Sequence, residues 1–410
     1  MPYFREFGWE AHILTVQPDQ VEHASDDRLY QALPKNLRIT YSRAFPVQFT
    51  RKFGLGNLGL RCLPFLAQAG DRLLATSSFD LVFFSTTIFP VMILGDRWQR
   101  KFGIPYVLDF QDPWRVDAAP TRQRPGGRLR YAVDKWMASI LEPQALRRVS
   151  QIVSVSPAYP HQLQQRYPWL RPEQFTVLPF GAPEQDFAQL ASLQIQQSIF
   201  DPKDGNRHWV YVGRGGTDME LALRSLFLAI RTERDRQPEQ WNRVRLHFVG
   251  TSYTANQLHQ PIAAIAQEYG IADQVTEHPQ RLPYFEAQQV LQDSDAILLI
   301  GSDDPTYTAS KLYPGILARK PILAIFHHQS SVVDILRQCH AGRVISFSSA
   351  NTPADLHLQL TTYLREFQEF AKGYQPEINW TAFQGYTARE MTRKLCTVFD
   401  RGLQTTGNAR

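Results

Sequence analysis

The chain has 410 residues, 43% of them apolar and 20% charged, with 44 Lys and Arg against 39 Asp and Glu and a net charge of +5. That length exceeds one ordinary core and predicts two domains of about 200 residues each. The composition excludes a disordered or membrane-spanning chain, and the modest positive charge suits anionic ligands without being a nucleic-acid signature. No apolar run approaches the roughly 18 residues of a membrane helix, and no basic-then-apolar leader opens the sequence, so a soluble cytoplasmic protein is expected. Cys62, Cys339 and Cys396 are odd in number and show no CxxC spacing, which predicts neither disulfide nor zinc.

In chain order, residues 1–7 carry Tyr3, Phe4 and Phe7 at helical spacing and stop at Gly8, the pattern of an amphipathic helix with a glycine end. Residues 10–16 follow as a buried strand. The chain thus opens inside a βα unit, without the strand and loop that would precede that helix. Two explanations stand: the sequence begins at a downstream methionine, or the helix caps a sheet edge. Strands and helices then alternate. Residues 37–41 read as strand, 58–75 as helix, 80–85 as buried strand, and 88–102 as helix ended by Gly103 and Pro105. The strand at 106–110 carries Asp109, Gln111 and Asp112 to its carboxyl end. For Asp112, an Asp-Pro turn and a ligand-facing role weigh equally. Arg115, Arg122, Arg124, Arg128, Arg130 and Lys135 then face only Asp117 and Asp134. This basic stretch is either a solvated face or a peripheral contact with an anionic membrane surface. A helix at 135–148, a strand at 151–156, a helix at 157–167 and a short strand at 175–179 complete the first half, and 183–204 reads as a linker.

The second half opens on a strand at 209–213, followed by Arg214-Gly215-Gly216 and a helix from Asp218 with Leu223, Leu226, Phe227 and Ile230 as its apolar stripe. A glycine turn between strand and helix lets backbone approach a diphosphate beside a helix N-terminus, although many α/β turns carry glycines for geometry alone. A strand at 244–250, a helix at 256–269 and a short strand at 274–278 follow. His278 is the histidine most open to a functional role, against the commoner structural use of a lone imidazole. Arg281 and Pro283 lie on the next turn, and Tyr284 belongs either to a base stack or to the core. Residues 295–325 read DAILLIGSDDPTYTASKLYPGILARKPILAI. The apolar runs 296–300 and 321–325 have the length and character of parallel strands covered on both faces. Asp303 and Asp304 leave the carboxyl end of the first, where ligands bind in open α/β sheets. Ser310 and Lys311 lead into the next helix, where backbone N–H groups with a lysine beside them favour a phosphate; the alternative is an N-cap serine next to a solvated lysine. Adjacent carboxylates on a loop are more often solvated than metal-bound, and no metal is expected. A helix at 332–337, a strand at 343–347, a helix at 354–370 and a long closing helix at 380–399 precede a frayed tail at 403–410.

The Asp-Ala run, the Ser-Lys-Leu-Tyr segment and the Ala-Arg-Lys-Pro-Ile-Leu-Ala that follows, with PYVLDFQDPW and the Gly213-Arg214 pair, resemble retaining glycosyltransferases of family four. The resemblance implies an α/β fold of the GT-B type: two Rossmann-like domains facing across a cleft, with a C-terminal helix crossing back to the first. The implied bounds are 1–182 for an acceptor-side domain, 183–204 for the linker, 205–372 for a nucleotide-sugar-binding domain and 373–410 for the crossing helix and tail. It also implies roles. Gln111 and Asp112 would face the donor sugar as catalytic residues; Gly213, Arg214, Gly215, Ser310 and Lys311 would hold its diphosphate, Arg281 would border the base, and Asp303 and Asp304 would meet sugar hydroxyls. The chain departs from the family at Pro314, where a glutamate usually holds the ribose, and at Phe180, where asparagine is usual. The lysine that many members carry shortly after the arginine is also absent, which leaves Lys311 to supply the second charge. The implied reaction moves a sugar from a nucleotide-sugar, a substrate and not a cofactor, to a polysaccharide or lipid-linked glycan with retention of configuration. Two alternatives accompany it: an inactive glycosyltransferase-like scaffold, and a nucleotide-sugar epimerase of the same fold.

Overall fold

The computed structural model describes residues 2–21, 26–31, 33–51, 56–115, 127–252, 260–370 and 375–407. The chain divides into two α/β units, Met1–Pro179 with Met391–Arg410, and Phe180–Glu390. In the first unit His12–Val16 (β1) pairs with Arg38–Ser42 (β2) as a two-stranded sheet. A second sheet holds Val82–Ser85 (β3), Tyr106–Phe110 (β4), Gln151–Ser154 (β5) and Phe175–Val177 (β6) in sequential order. Every pairing is parallel, and β4 is buried along its whole length, as a central strand covered on both faces must be.

The second unit holds a six-stranded parallel sheet of Arg207–Val212 (β7), Val244–Val249 (β8), Val275–His278 (β9), Ala296–Ile300 (β10), Ile322–His327 (β11) and Arg343–Phe347 (β12), in the order β12-β11-β10-β7-β8-β9. The chain therefore builds outward from β7 to β9, returns to lay β10 on the other side of β7, and builds outward again. Such a reversal leaves a crevice at the carboxyl ends of the two central strands. Both faces of β10 are sealed: Ala296, Leu298 and Ile300 join one core with Trp209, Phe248 and Ile325, and Ile297 and Leu299 join the other with Val210, Ile316 and Phe326.

Several expected elements change their limits. The segment 183–204 is not a free linker. It carries the helix Glu184–Leu193 and belongs to the second unit, where Tyr284 Oη donates to Asp186 at 2.7 Å and Ser198 Oγ to Glu286 at 2.7 Å. Half-buried Tyr284 is thus held to the helix Glu184–Leu193 by its hydroxyl. The opening helix is a single 3-10 turn, Phe4–Phe7, with Gly8 in the left-handed region as predicted. The helix expected from 135 begins earlier, in Gly127–Leu146. The expected helix 256–269 is seen as Pro261–Glu268, with proline at its first position, and 253–259 lie outside the described residues.

The closing helix is interrupted. Trp380–Gln384 ends at Gly385, and Thr387 Oγ1 accepts from Glu390 N at 3.2 Å to start Ala388–Gly407. From Met391 onward the chain belongs to the first unit. There the Phe399 ring lies 5.9 Å from Phe4, 5.1 Å from Trp9 and 5.1 Å from Phe83, and Trp9 Nε1 donates to Asp400 at 3.1 Å. The C-terminal helix thus returns to the first unit, as the sequence suggested, but only from Met391, 18 residues after the expected boundary of 373, with Trp380–Gln384 belonging to the second unit.

Gly301 joins β10 to the loop that follows. A Cβ there would lie 2.7 Å from the Phe326 ring and 2.9 Å from the Ile325 carbonyl, a backbone atom that cannot swing aside. Gly301→Ala is expected to cost about 1–3 kcal/mol, the usual penalty of overpacking. The check is a urea melt with a lower midpoint and an unchanged slope.

Candidate functional site

Five of the predicted residues gather where β7 and β10 end. Gly213 follows β7 with φ +156°, and a Cβ on it would sit 3.2 Å from Lys311 Cδ and 3.3 Å from Tyr211 Oη. Gly215 packs against Thr251, whose Cβ would lie 3.1 Å from a Cβ at 215. The N–H of Gly213 donates to Val249 at 2.9 Å and that of Gly215 to Thr251 at 2.8 Å. Those two N–H groups are therefore engaged inside the protein and do not cradle a phosphate. Both glycines are required by shape: one for its φ, one for close approach to the neighbouring loop.

Arg214 is the charge of this loop. It grips Asp218 through two hydrogen bonds of 2.9 and 2.6 Å, and its guanidinium lies 5.0 Å from the ring centroid of Tyr307. Burial works against its charge, but the bonds and charge of Asp218 hold the guanidinium above its ordinary pKa. Burial would likewise raise Asp218, yet Arg214 keeps its carboxyl below the ordinary carboxylate range. The helix expected from Asp218 starts as a 3-10 turn, Thr217–Met219, before Glu220–Arg236.

Lys311 reaches the same place from the β10 side. Its Nζ donates to the Tyr211 hydroxyl and, at 3.1 Å, to the Ile300 carbonyl, and lies 4.1 Å from the Tyr211 ring centroid. Burial, and then the charge of Arg214, draw its amine well below the ordinary lysine pKa, with Asp218 opposing. Ser310 does not serve as an N-cap. The helix is only Leu312–Leu317, Lys311 itself is at the N-cap, and exposed Ser310 contributes its carbonyl to Tyr313 N at 3.3 Å. Six residues with a proline in the first turn give too short a helix for a macrodipole argument. Asp303 donates its N–H to the Asp218 carbonyl at 2.8 Å, tying the two loops together. Asp304 is exposed and accepts from Thr306 N and Oγ1 at 2.8 and 2.7 Å, the bonds of a loop-shaping side chain. Arg281 lies further along the same sheet edge, its Cγ 3.7 Å from where a Cβ on Gly250 would be. Pro314 and Lys311 line a cavity of about 90 Å³ together with Val212 and Gln288, whose buried Oε1 has no partner among the described residues.

Gln111 and Asp112 are in the other unit, on the loop after β4. Gln111 Nε2 donates to Asp109 at 2.8 Å and to Ser85 Oγ at 3.2 Å. Asp109 is the buried carboxyl of this cluster, and burial raises its pKa despite those bonds. Exposed Asp112 stands next in the chain, and Trp114 stacks on Phe89 at 5.4 Å to anchor the loop. Of the basic stretch, Arg122 and Arg124 lie outside the described residues; Lys135 is exposed on the helix Gly127–Leu146 beside Val133, Trp136 and Ile140, an exposed apolar row with Trp136 64% accessible. No helix among the described residues is long and apolar enough to cross a membrane, and none of their His, Cys, Asp and Glu side chains form a group of three that could hold a metal ion.

Sequence reasoning passed over Tyr211, Asp218 and Tyr307. Tyr211 reads as one more apolar residue of WVYVG, and only the strand order shows that its hydroxyl meets a lysine a hundred positions away. Half-buried His278 stands in a row with the buried His208 and His247. His208 Nδ1 and His247 Nε2 lie 3.0 Å apart, His208 Nε2 is 3.0 Å from Asp204, and the His247 and His278 rings are 6.2 Å apart.

Residues 2–181 match the model of a glycosyl transferase 4-like domain. Among curated proteins, none matches the sequence. Anabaena HepE in complex with UDP and glucose is similar at 14% identity and a TM-score of 0.59, covering 95% of this chain and 99% of its own. Its complex with UDP-glucose gives 13%, 0.55, 97% and 98%. A glycosyltransferase from Rickettsia africae gives 14%, 0.54, 96% and 99%. The chain has the GT-B fold of these proteins, built on parallel-sheet α/β units as the sequence implied.

The histidine row makes stability depend on pH. Burial, then the charges of His208 and His278, lower His247 from 6.5 to about 4, with Asp204 opposing and Arg245 adding to the shift. The unfolded chain then binds a proton that the folded chain refuses. Stability is fully present above pH 6.5, is lost as pH falls toward about 4, and loses nothing further from this group below that. His247→Leu is expected to flatten the fall in melting temperature across that window. An unchanged slope would assign the acid sensitivity elsewhere.

Proposed function

We propose that this protein transfers a sugar from a uridine diphosphate sugar to a polysaccharide or lipid-linked glycan acceptor, with retention of configuration. The observation that carries this reading is the convergence of Arg214 and Lys311, from two different loops, on the carboxyl ends of β7 and β10. Two cations at a topological switch point suit a diphosphate, and HepE, of the same fold, is described with UDP and with UDP-glucose.

The chemistry asks the protein mainly for charge and position. As the glycosidic bond breaks, negative charge grows on the departing diphosphate, and preorganised cations stabilise it more in a buried setting than water does. Arg214 is held in place by Asp218, so little reorganisation is needed when the diphosphate arrives. An arriving diphosphate would also favour the charged form of Lys311. Asp112 and Gln111 are assigned to the sugar, where a carboxylate steadies developing positive charge; the Asp109 carboxyl holds the Gln111 amide in place. Arg281, Asp303 and Asp304 are assigned to the base and sugar edges of the same donor. No cofactor and no metal enters this scheme. A lipid-linked acceptor would bring the exposed Val133, Trp136 and Ile140 row, with Lys135, to a membrane surface.

A second reading, donor binding without transfer, is favoured by Pro314, which brings a ring with no carboxylate to the cavity beneath Lys311. Thermal unfolding with UDP, UDP-glucose and other nucleoside diphosphates tests both. UDP or a UDP-sugar at about a hundred times its dissociation constant should add roughly 2.7 kcal/mol of stability, and at the same ligand concentration Lys311→Ala should cut the gain to about 1.4 kcal/mol. Absence of a shift with every nucleotide would overturn the donor site. A shift without sugar release in a transfer assay would select the second reading.

A further inference from the structure

We propose that Tyr211 is a positioning residue of the diphosphate site, its hydroxyl fixing the ammonium of Lys311 against the glycine loop. The inference rests on the donor-binding reading above. Tyr211 lies in β7 just before the loop and is 1% exposed, so its hydroxyl has no water to fall back on. That hydroxyl donates to the Arg214 carbonyl at 2.6 Å, with Met219 Sδ at 3.7 Å as a weaker alternative, and it accepts from Lys311 Nζ. One phenol therefore joins the loop after β7 to the loop after β10.

The donor count gives this arrangement its use. An ammonium has three N–H donors. Two of them go to the Tyr211 hydroxyl and the Ile300 carbonyl, which leaves one for an incoming anion and fixes its direction. The stem passes close over Gly213, where a Cβ would lie 3.2 Å from the Lys311 Cδ, so only a glycine leaves room for it. An untethered lysine would sample many rotamers and lose that freedom on binding. Here the order is built in before the ligand arrives.

The test is the affinity for UDP, measured by titration calorimetry, of the wild type, Tyr211→Phe, Lys311→Met and the double variant. Tyr211→Phe keeps the ring under the ammonium and removes only the hydroxyl. Each single variant is expected to weaken UDP binding about ten-fold, in the range of a hydrogen bond to a charged group. The double variant should bind no more weakly than Lys311→Met alone, because both changes disable one device. Additive losses, or wild-type affinity in Tyr211→Phe, would overturn the inference while leaving Lys311 as a donor ligand. Wild-type affinity in Lys311→Met would instead remove the donor-binding reading, and this inference with it. Lys311→Arg gives a check that leaves Tyr211 untouched. Loss of affinity comparable to Lys311→Met supports positioning, and wild-type affinity in Lys311→Arg would show that charge alone suffices.

Discussion

β10 lies against β7 and not at the edge of the sheet, and the rest of the second unit follows from that adjacency. Two parallel strands that are neighbours in space but belong to halves growing in opposite directions cannot have their loops cover the same ground. The glycine loop after β7 and the Asp303 loop after β10 therefore diverge. They are joined by the bonds from Asp303 to Asp218 and from Lys311 to Tyr211, and by the Arg214 guanidinium 5.0 Å from the Tyr307 ring centroid. Packing fixes this neighbourhood on both faces, since β10 is sealed between two cores and Gly301 leaves no room for even a methyl group beside Phe326.

Charge is handled by pairing on one loop and by enclosure on the other. Arg214 keeps its charge because Asp218 chelates it, while Lys311 is enclosed near a like charge and has its pKa drawn down. The two cations thus differ in what an anion would change: a fixed guanidinium is already ionised, and an enclosed amine gains most from a new negative neighbour. In the first unit the logic runs the other way. Asp109 is buried, its carboxyl is pushed up, and the amide of Gln111 and the hydroxyl of Ser85 hold it in place.

Much of this was legible in the sequence because parallel α/β units write themselves locally. Continuous apolar runs such as 296–300 mark strands buried on both faces, and Gly103 and Gly8 mark the ends of helical segments by their left-handed backbone. The residues of the two loops were legible as well, since Gly213, Arg214 and Asp303 stand close behind apolar strands and Lys311 leads into the helix Leu312–Leu317. Their partners were not. Asp218 reads as a helix-starting residue, Tyr211 as strand, and Ser310 as a cap that the short helix Leu312–Leu317 does not use.

The sequence by itself determined the α/β class, most strand positions and which polar residues stand at strand ends, because each of these depends on the pattern of neighbours along the chain. Tertiary structure alone decided the strand order, and with it that Lys311 meets Tyr211, that the N–H groups of Gly213 and Gly215 serve Val249 and Thr251, and that 183–204 packs as part of the second unit. The reason is distance along the chain. A contact between residues a hundred positions apart leaves no local trace in either segment, and it exists only once β10 has taken its place beside β7.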